Sequence, residues 1–251
     1  CVEDTGSKFK TYVNGNEIPA HTPTELNPND ELQFGAASIL RVEPHVIRIC
    51  PSRVLKTCKK SDPKCGACKK CVYELSGKLG GQMVNDWDAD CTHLVMAKDM
   101  IATTKVIFAV IYGKPVVKPS WLSDILCRQN ITDCLPDTSK YLPPVASPSI
   151  KDFGIPRRDF LDHFTMLSMS NDPEGENLVE AAGATVVKLY HMDESSFKNM
   201  NWEERYPGKT LIVLDLPGIE SNQAWGQHLA SLGIPVTDKT KVAEDVISLD
   251  V

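Results

Sequence analysis

Apolar residues at helical spacing alternate along the chain with short apolar runs. Val72, Leu75 and Leu79 are spaced as on one face of a helix. They lead into the pair Gly80 and Gly81, and glycine is the residue that most often ends a helix in the left-handed conformation. The pattern therefore predicts a helix that ends at this glycine pair.

Two strands and two more helices are predicted after the pair. The compact apolar run at residues 92–96 is typical of a buried strand. An apolar helix at residues 106–112 ends at Gly113, and a short strand at residues 114–117 leads into a helix that contains Trp121, which we expect in the core. Strands that alternate with helices of this length favour a small parallel sheet with helices on its faces.

The same two sequence motifs occur a second time, in the same order along the chain. Leu-Gly-Gly-Gln-Met-Val around Gly80 returns as Ala-Gly-Ala-Thr-Val-Val around Gly183, and the Gly-x-Pro-Val strand after Gly113 returns after Gly233. The second copy is longer, and we place its extra residues in a polar loop at 191–208, because loops absorb insertions at small cost. Two copies predict a tandem of one domain type.

Several of these motifs together resemble a BRCT domain. They are the glycine pair, the Thr-His-Leu-Val strand, the Thr-Thr-Lys helix start, the Gly-x-Pro-Val-Val strand and Trp121. The resemblance is strongest at residues 50–127, and a more divergent second BRCT repeat follows it. Residues 7–15 in turn resemble the late strands of an FHA domain.

The resemblance implies an α/β fold class: two BRCT-type domains, each a small parallel sheet flanked by helices, preceded by a partial all-β FHA sandwich. We expect the C-terminal part of an FHA domain at residues 1–44, the first BRCT domain at 45–135, a stiff proline-rich connector at 136–156 and the second BRCT domain at 157–251. The first segment buries too little apolar surface to close a sandwich alone, so we expect an FHA domain truncated at its N-terminus.

The FHA-like segment is not expected to bind a phosphopeptide. Phe9 and Lys10 stand where the FHA family has a peptide-contacting Asn and the Gly after it, and the family's phosphate-binding Arg and Ser precede the strands seen here. Asn14 and Gly15 have turn chemistry and are expected to shape a turn.

A phosphate site is expected in the first BRCT repeat. In that family a Ser or Thr at the end of the first strand, a neighbouring backbone N–H and a Lys at the start of the second helix hold a phosphate. Ser52, Arg53 and Lys105 match these positions. Thr103 and Thr104 precede the lysine, and either is suited to cap the helix or to donate its hydroxyl to the phosphate, a role that we assign to Thr104.

The second repeat is expected to play a supporting role without a phosphate pocket. Its matching strand end lies at residues 168–170, and its second helix, expected near residues 222–224, begins without a lysine. Arg157 and Arg158 lie where the connector enters this repeat. They have the reach to contact a bound peptide, but we expect solvated surface arginines.

Four cysteines stand close together between the first strand and the first helix of the first repeat. The spacing of Cys58, Cys65, Cys68 and Cys71 provides two C-x2-C steps, and four thiolates can hold a tetrahedral zinc ion. The alternative is a solvated basic loop with incidental cysteines, because six lysines lie in or beside the same segment: Lys56, Lys59, Lys60, Lys64, Lys69 and Lys70. No other cofactor is expected.

Composition and motifs narrow the function classes. The 251 residues, 42% of them hydrophobic, suffice for roughly two domains, and no apolar run approaches the length of a membrane span. A net charge of -6 argues against sequence-independent DNA binding as the main activity, because such binding relies on positive charge. No nucleotide-binding, hydrolase or metalloprotease motif is present, which argues against an enzyme. Nine cysteines, an odd number, favour a reducing compartment.

An FHA domain followed directly by two BRCT repeats resembles a subunit of the nuclease complex that senses DNA double-strand breaks. The resemblance implies a nuclear adaptor of double-strand-break repair and checkpoint signalling, acting at chromosomes and telomeres, that reads phosphoserine or phosphothreonine peptides through its first BRCT domain. Its expected partners are phosphorylated chromatin or repair proteins and, through regions mostly outside this chain, subunits of the nuclease complex. The alternative is a DNA-end or structural scaffold with a zinc-stabilised basic cysteine loop.

Overall fold

The chain divides into two compact units in its computed structural model. One unit comprises residues 1–47 and 127–135, and the other comprises residues 48–126 and 136–251. The structure describes residues 1–36, 38–42, 46–58, 66–130, 133–150, 154–169, 171–215, 229 and 231–248.

The first unit contains an antiparallel sheet. Its strands are β1 (Thr11–Val13), β2 (Asn16–Glu17), β3 (Glu31–Phe34) and β4 (Ser38–Arg41), in the order β2-β1-β3-β4. Asn14 and Gly15 adopt positive φ angles of 50° and 78° between β1 and β2, and the Asn14 side chain accepts a 2.8 Å hydrogen bond from the Glu31 N–H. The predicted turn at Asn14 and Gly15 is thus confirmed.

The second unit begins with a four-stranded parallel sheet and three helices. The strands are β5 (Arg48–Ser52), β6 (Gln82–Met83), β7 (His93–Met96) and β8 (Val116–Val117), in the order β6-β5-β7-β8. The helices are α1 (Lys69–Lys78), α2 (Thr104–Ile111) and α3 (Ser120–Leu126).

Local sequence sets the limits of these helices. Gly80 and Gly113 follow α1 and α2 with φ angles of +67° and +61°, which a side chain would disfavour.

On α3, Trp121 is 1% exposed, stacks on His93 with ring centroids 4.2 Å apart, and donates from Nε1 to the Pro136 carbonyl at 2.8 Å. The prediction of a core tryptophan is confirmed.

A second parallel sheet follows with the same strand order as the first. It comprises β9 (Phe164–Ser168), β10 (Thr185–Lys188), β11 (Thr210–Asp215) and β12 (Val236–Asp238), in the order β10-β9-β11-β12. Its described helices are α4 (Pro173–Ala181), α5 (Glu194–Lys198), α6 (Trp202–Arg205) and α7 (Lys239–Ser248). The shared order, with the first strand of each repeat inside the sheet, agrees with the duplication seen in the sequence.

The extra residues of the second repeat do not form the loop that we expected. They carry α5 and α6, because Asp193 accepts a 2.8 Å hydrogen bond from the Ser196 N–H and Asn201 accepts one of 3.3 Å from the Glu204 N–H, and these contacts begin two short helices. The expected second helix near residues 222–224 lies outside the described residues.

The two repeats share one hydrophobic core. Helix α2 packs against α4 and α7, so that Val106 and Val110 of the first repeat belong to the same buried cluster as Leu178 and Val246 of the second. Along the described part of the chain, no helix combines the length and the apolar character that crossing a bilayer would need.

The connector is tied to the first repeat by backbone hydrogen bonds. Met100 donates to the Pro144 carbonyl at 2.7 Å, Ala146 donates to the Met100 carbonyl at 2.9 Å, and Lys118 donates to the Tyr141 carbonyl at 2.7 Å. A short 3-10 helix, Thr138–Tyr141, lies within it. These bonds hold the described part of the connector against the first repeat.

Arg157 corrects the expectation of two solvated arginines at the end of the connector. It is 2% exposed, and its guanidinium Nη1 donates to the Val246 carbonyl of α7. Its backbone N–H donates to the Ile111 carbonyl at 2.7 Å, so it joins the end of α2 to α7. Arg158 is exposed as expected, with its guanidinium carbon 5.2 Å from the centre of the Tyr112 ring.

Candidate phosphate site in the first repeat

Ser52 ends the first strand of the first repeat. It is the last residue of β5, lies opposite Met96 of β7, and is 8% exposed. Its hydroxyl makes no hydrogen bond to any residue that the structure describes. The next residue, Arg53, has a φ of 49°, so the chain turns sharply as it leaves the sheet.

Lys105 reaches the same end of the strand from the first turn of α2. Its Nζ donates to the Pro51 carbonyl at 3.3 Å and to the Asn85 carbonyl. The Pro51 carbonyl belongs to the peptide bond that precedes Ser52, so the ammonium contacts the backbone at the end of β5. Burial raises the pKa of the neighbouring Cys50 thiol, and the positive charge of Lys105 opposes that rise. The structure therefore brings Ser52 and Lys105 together at one edge of the sheet.

Arg53 adds a second cation at this edge. Its Nη1 atom is buried and has no hydrogen-bond partner within the described ranges. A buried guanidinium N–H without a partner is energetically costly.

The sequence left open whether Thr103 or Thr104 caps α2 and which of them donates its hydroxyl to a phosphate. Thr103 is the N-cap of α2, because its hydroxyl accepts a hydrogen bond from the Val106 N–H at 3.4 Å. Thr104 donates its hydroxyl to Glu174 Oε1 of the second repeat at 2.7 Å. In this conformation Thr104 therefore contacts the second repeat, whereas the Lys105 side chain reaches the end of β5.

Charged side chains of the second repeat surround that contact. Lys239 of α7 lies 3.1 Å from Asp172 and 3.4 Å from Glu174. Burial opposes ionisation of Asp172, but its contact with the Lys239 ammonium holds the pKa of this carboxyl below its usual value. Both carboxylates are thus paired with Lys239, and among the described residues Lys105 is paired with no carboxylate.

Comparisons with known proteins agree with the fold. The FHA domain family matches residues 1–35 and the BRCA1 C Terminus (BRCT) domain family matches residues 57–126. Nibrin of Gallus gallus is 32% identical over 163 residues, which cover 64% of this chain and 20% of that protein. The chain is thus similar to nibrin over part of its length, and two of its segments match the FHA and BRCT domain families. It spans about a fifth of the length of the curated relatives that it matches.

Another relative and two solved structures also align with the chain. Nibrin of Mus musculus is 31% identical over 154 residues, covering 57% of this chain and 18% of that protein. The FHA/BRCT-repeat domain of S. pombe Nbs1 aligns with 98% of this chain and 73% of that chain at 12% identity, with a TM-score of 0.44. The BRCT5-BRCT6 domains of S. pombe Brc1 align with 82% of this chain and 93% of theirs at 14% identity, with a TM-score of 0.49. The expected fold class is confirmed: two α/β repeats with parallel sheets follow an all-β segment that matches the FHA family.

The second repeat places an acid beside the serine that ends its first strand. Ser168, which ends β9, is fully buried and donates to Glu176 Oε1 at 2.8 Å. Lys188 lies 2.8 Å from the other oxygen of Glu176. An approaching phosphate would meet a carboxylate here, so the geometry fits the supporting role expected for this repeat.

The cysteine segment lies in the same repeat, between β5 and α1. The sulfur atoms of Cys58, Cys68 and Cys71 lie within 4.8 Å of one another, whereas Cys65 lies outside the described residues. Of the four predicted metal ligands, the structure thus brings three together.

Sequence reasoning missed the contacts that the second repeat makes beside the candidate phosphate site. Glu174 and Lys239 approach Thr104 from α4 and α7, far along the chain from α2. The only sequence signal was the capping pattern Asp172-Pro173 before α4, which places an acidic helix start but not its neighbour.

Proposed function

We propose that the first BRCT repeat binds a phosphorylated serine or threonine in a partner protein. The Ser52 hydroxyl would donate to one phosphate oxygen, and Lys105 and Arg53 would bind the others. The observation that carries the proposal is the contact of the Lys105 ammonium with the carbonyl that precedes Ser52.

Charge at this strand end supports a phosphate ligand. A phosphoserine carries about -1.5 to -2 charges and three acceptor oxygens near pH 7. Within the described residues Lys105 donates to carbonyl oxygens and to no carboxylate, so a bound phosphate would supply its counter-ion. Each charge-assisted hydrogen bond contributes about 1.5–3 kcal/mol.

The wider role that fits this site is that of a nuclear adaptor in DNA double-strand-break repair and checkpoint signalling. Similarity to nibrin supports it. The adaptor would dock on phosphorylated chromatin or repair proteins, and nuclease-complex subunits would bind mostly through regions outside this chain. We infer binding and no catalysis, because within the described residues no general base contacts the Ser52 hydroxyl.

Lys105→Met tests the proposal. A phosphorylated Ser-x-x-acidic peptide and its unphosphorylated counterpart are titrated against the chain by calorimetry. We expect the phosphorylated form to bind more tightly, and Lys105→Met to weaken its binding about 10- to 100-fold, because one charge-assisted bond is lost. The matched control is Lys78→Met at the exposed end of α1, which should leave the affinity unchanged.

Equal binding of the two peptides, or an unchanged affinity of Lys105→Met, would refute the proposal. The alternative DNA-end scaffold predicts a different result. It requires duplex binding that weakens steeply with salt and is lost when the exposed lysines Lys56, Lys69 and Lys70 are changed to glutamate.

A further inference from the structure

Three cysteine sulfur atoms converge beside the start of α1. The Sγ of Cys58 lies 3.2 Å from that of Cys68 and 3.4 Å from that of Cys71, and all three sulfur atoms lie within 4.8 Å of one another. We infer that these cysteines bind a zinc ion. The site is separate from the proposed phosphate site, and its test does not depend on that function.

The separations suit a common metal ligand. Zinc binds thiolates at about 2.3 Å in a tetrahedron, which places its sulfur ligands about 3.8 Å apart. The observed 3.2 and 3.4 Å between Cys58 and the other two need only a few tenths of an ångström of spreading. A disulfide would require about 2.05 Å.

The local backbone is arranged to present two of these sulfur atoms on one side. Cys68 is the N-cap of α1, and its sulfur accepts the Cys71 N–H at 3.4 Å. The C-x2-C spacing thus puts both sulfur atoms at the first turn of the helix, whose positive end favours negative sulfur ligands.

Backbone contacts bring the third cysteine to the same place. Leu55 and Cys68 form an isolated parallel bridge, in which the Lys69 N–H donates to the Leu55 carbonyl at 2.8 Å and the Leu55 N–H donates to the Ala67 carbonyl at 3.3 Å. The chain that leads to Cys58 therefore runs beside the start of α1. Contacts of this kind position a metal site before the ion binds.

Burial distinguishes this cluster from a solvated loop. Cys68 is fully buried, Cys71 is 9% exposed and Cys58 is half-buried. Three thiolates and one Zn²⁺ carry a net charge of -1, and the neighbouring exposed lysines Lys56, Lys69 and Lys70 would offset it. Soft thiolate ligands select zinc over calcium or magnesium. The bound ion would link Cys58, in the segment after β5, to Cys68 and Cys71 at the start of α1.

Elemental analysis of the tag-free, reduced full chain tests the inference. We expect about one zinc per chain, since one cluster of thiolates holds one ion. Cys68→Ser should lose the metal, because it removes a fully buried ligand. Cys127→Ser, which changes an exposed cysteine outside the cluster, should retain it.

A second measurement covers the case in which Cys68→Ser does not fold. The wild-type chain is stripped with a chelator and titrated with Co²⁺, and we expect a thiolate-to-cobalt charge-transfer band and the visible bands of a tetrahedral ion. Metal removal should also lower the thermal midpoint, and added zinc should restore it. A folded wild-type chain without zinc and without these bands would overturn the inference, as would a disulfide among the three cysteines detected in the freshly purified, unreduced chain.

Discussion

Arg157 contributes more to the join between the repeats than its sequence suggests. Its guanidinium donates to the Val246 carbonyl of α7, and its backbone N–H donates to the Ile111 carbonyl of α2 at 2.7 Å. The side chain is 2% exposed, so its methylenes also pack in the interior. One residue therefore links two helices from different repeats.

Arg157→Ala should destabilise the chain by about 2–4 kcal/mol, because it leaves a cavity and removes a charge-assisted hydrogen bond. Arg158→Ala is the matched control. Its side chain is exposed beside Tyr112, so its loss should cost no more than about 1 kcal/mol. Urea unfolding at pH 7 measures both values, and equal costs for the two variants would contradict the assignment.

Residue chemistry at the candidate site was partly predictable. Ser52 and Lys105 were chosen from the family resemblance, and the structure brings them to one sheet edge, although their phosphate-binding role stays a prediction. The burial of Arg157 and the exposure of Arg158 were not predictable, because the sequence does not distinguish two adjacent arginines. Which of them is buried depends on α7, which lies far along the chain.

At the scale of elements, two glycines that end helices also lie against the segment where the chain enters the second repeat. A Cβ on Gly113 would lie 2.7 Å from the Pro156 ring, and one on Gly183 would lie 2.6 Å from the Arg158 carbonyl oxygen. Both have positive φ angles, of +61° and +103°. The repeated glycines thus end α2 and α4 and also admit the chain segment that joins the repeats.

Gly183→Ala should cost more than Gly80→Ala. Both substitutions force a side chain into a positive φ, at about 1–2 kcal/mol. A Cβ at Gly80 would meet nothing within 4 Å, whereas one at Gly183 would press on backbone and should add about 1–3 kcal/mol. Thermal unfolding compares the two, and similar midpoints would show that the close approach at Gly183 is unimportant.

Regular elements were predicted well where their pattern was long. Apolar spacing and terminal glycines gave α1, α2 and the strands around them. The short helices α5 and α6 were missed, because 5 and 4 residues are too few to show helical periodicity. Only their capping residues, Asp193 and Asn201, carried a signal in the sequence.

At the scale of the molecule, the second repeat contains an ion pair with one buried partner, Glu176, that acid can break. Burial opposes ionisation of Glu176, but Lys188 and the Ser168 hydroxyl lower the pKa of this carboxyl. Its carboxylate is therefore more stable in the folded chain than in the unfolded chain. Such a group adds stability above its unfolded pKa, about 4.3, and loses it as the pH falls through the lower folded value.

Glu176→Gln should flatten the acid end of the stability profile. In the wild type we expect the free energy of unfolding to decline as the pH falls below about 5, with part of the decline due to Glu176. The variant should be less stable at pH 7 and should show a shallower decline. Urea unfolding between about pH 7 and pH 3 measures both slopes. Identical slopes would mean that Glu176 is not linked to stability in this way.

The arrangement of the whole chain was predictable as far as it repeats. Duplicated motifs gave two α/β repeats, and their common strand order follows from one fold used twice. The predicted domain limits stay predictions. The shared core was beyond the sequence, because an apolar face on α2 does not reveal that α4 and α7 cover it.

That common interior has a practical consequence for mapping partners with shortened versions of the gene. A fragment that stops after the first repeat would uncover Val106, Val110 and their neighbours, which the second repeat now shields from water. Such a fragment would aggregate. Its failure to bind a partner would then report the loss of the folded state and not the absence of a binding site. Point substitutions that leave both halves intact are the sounder route to finding what this chain recognises.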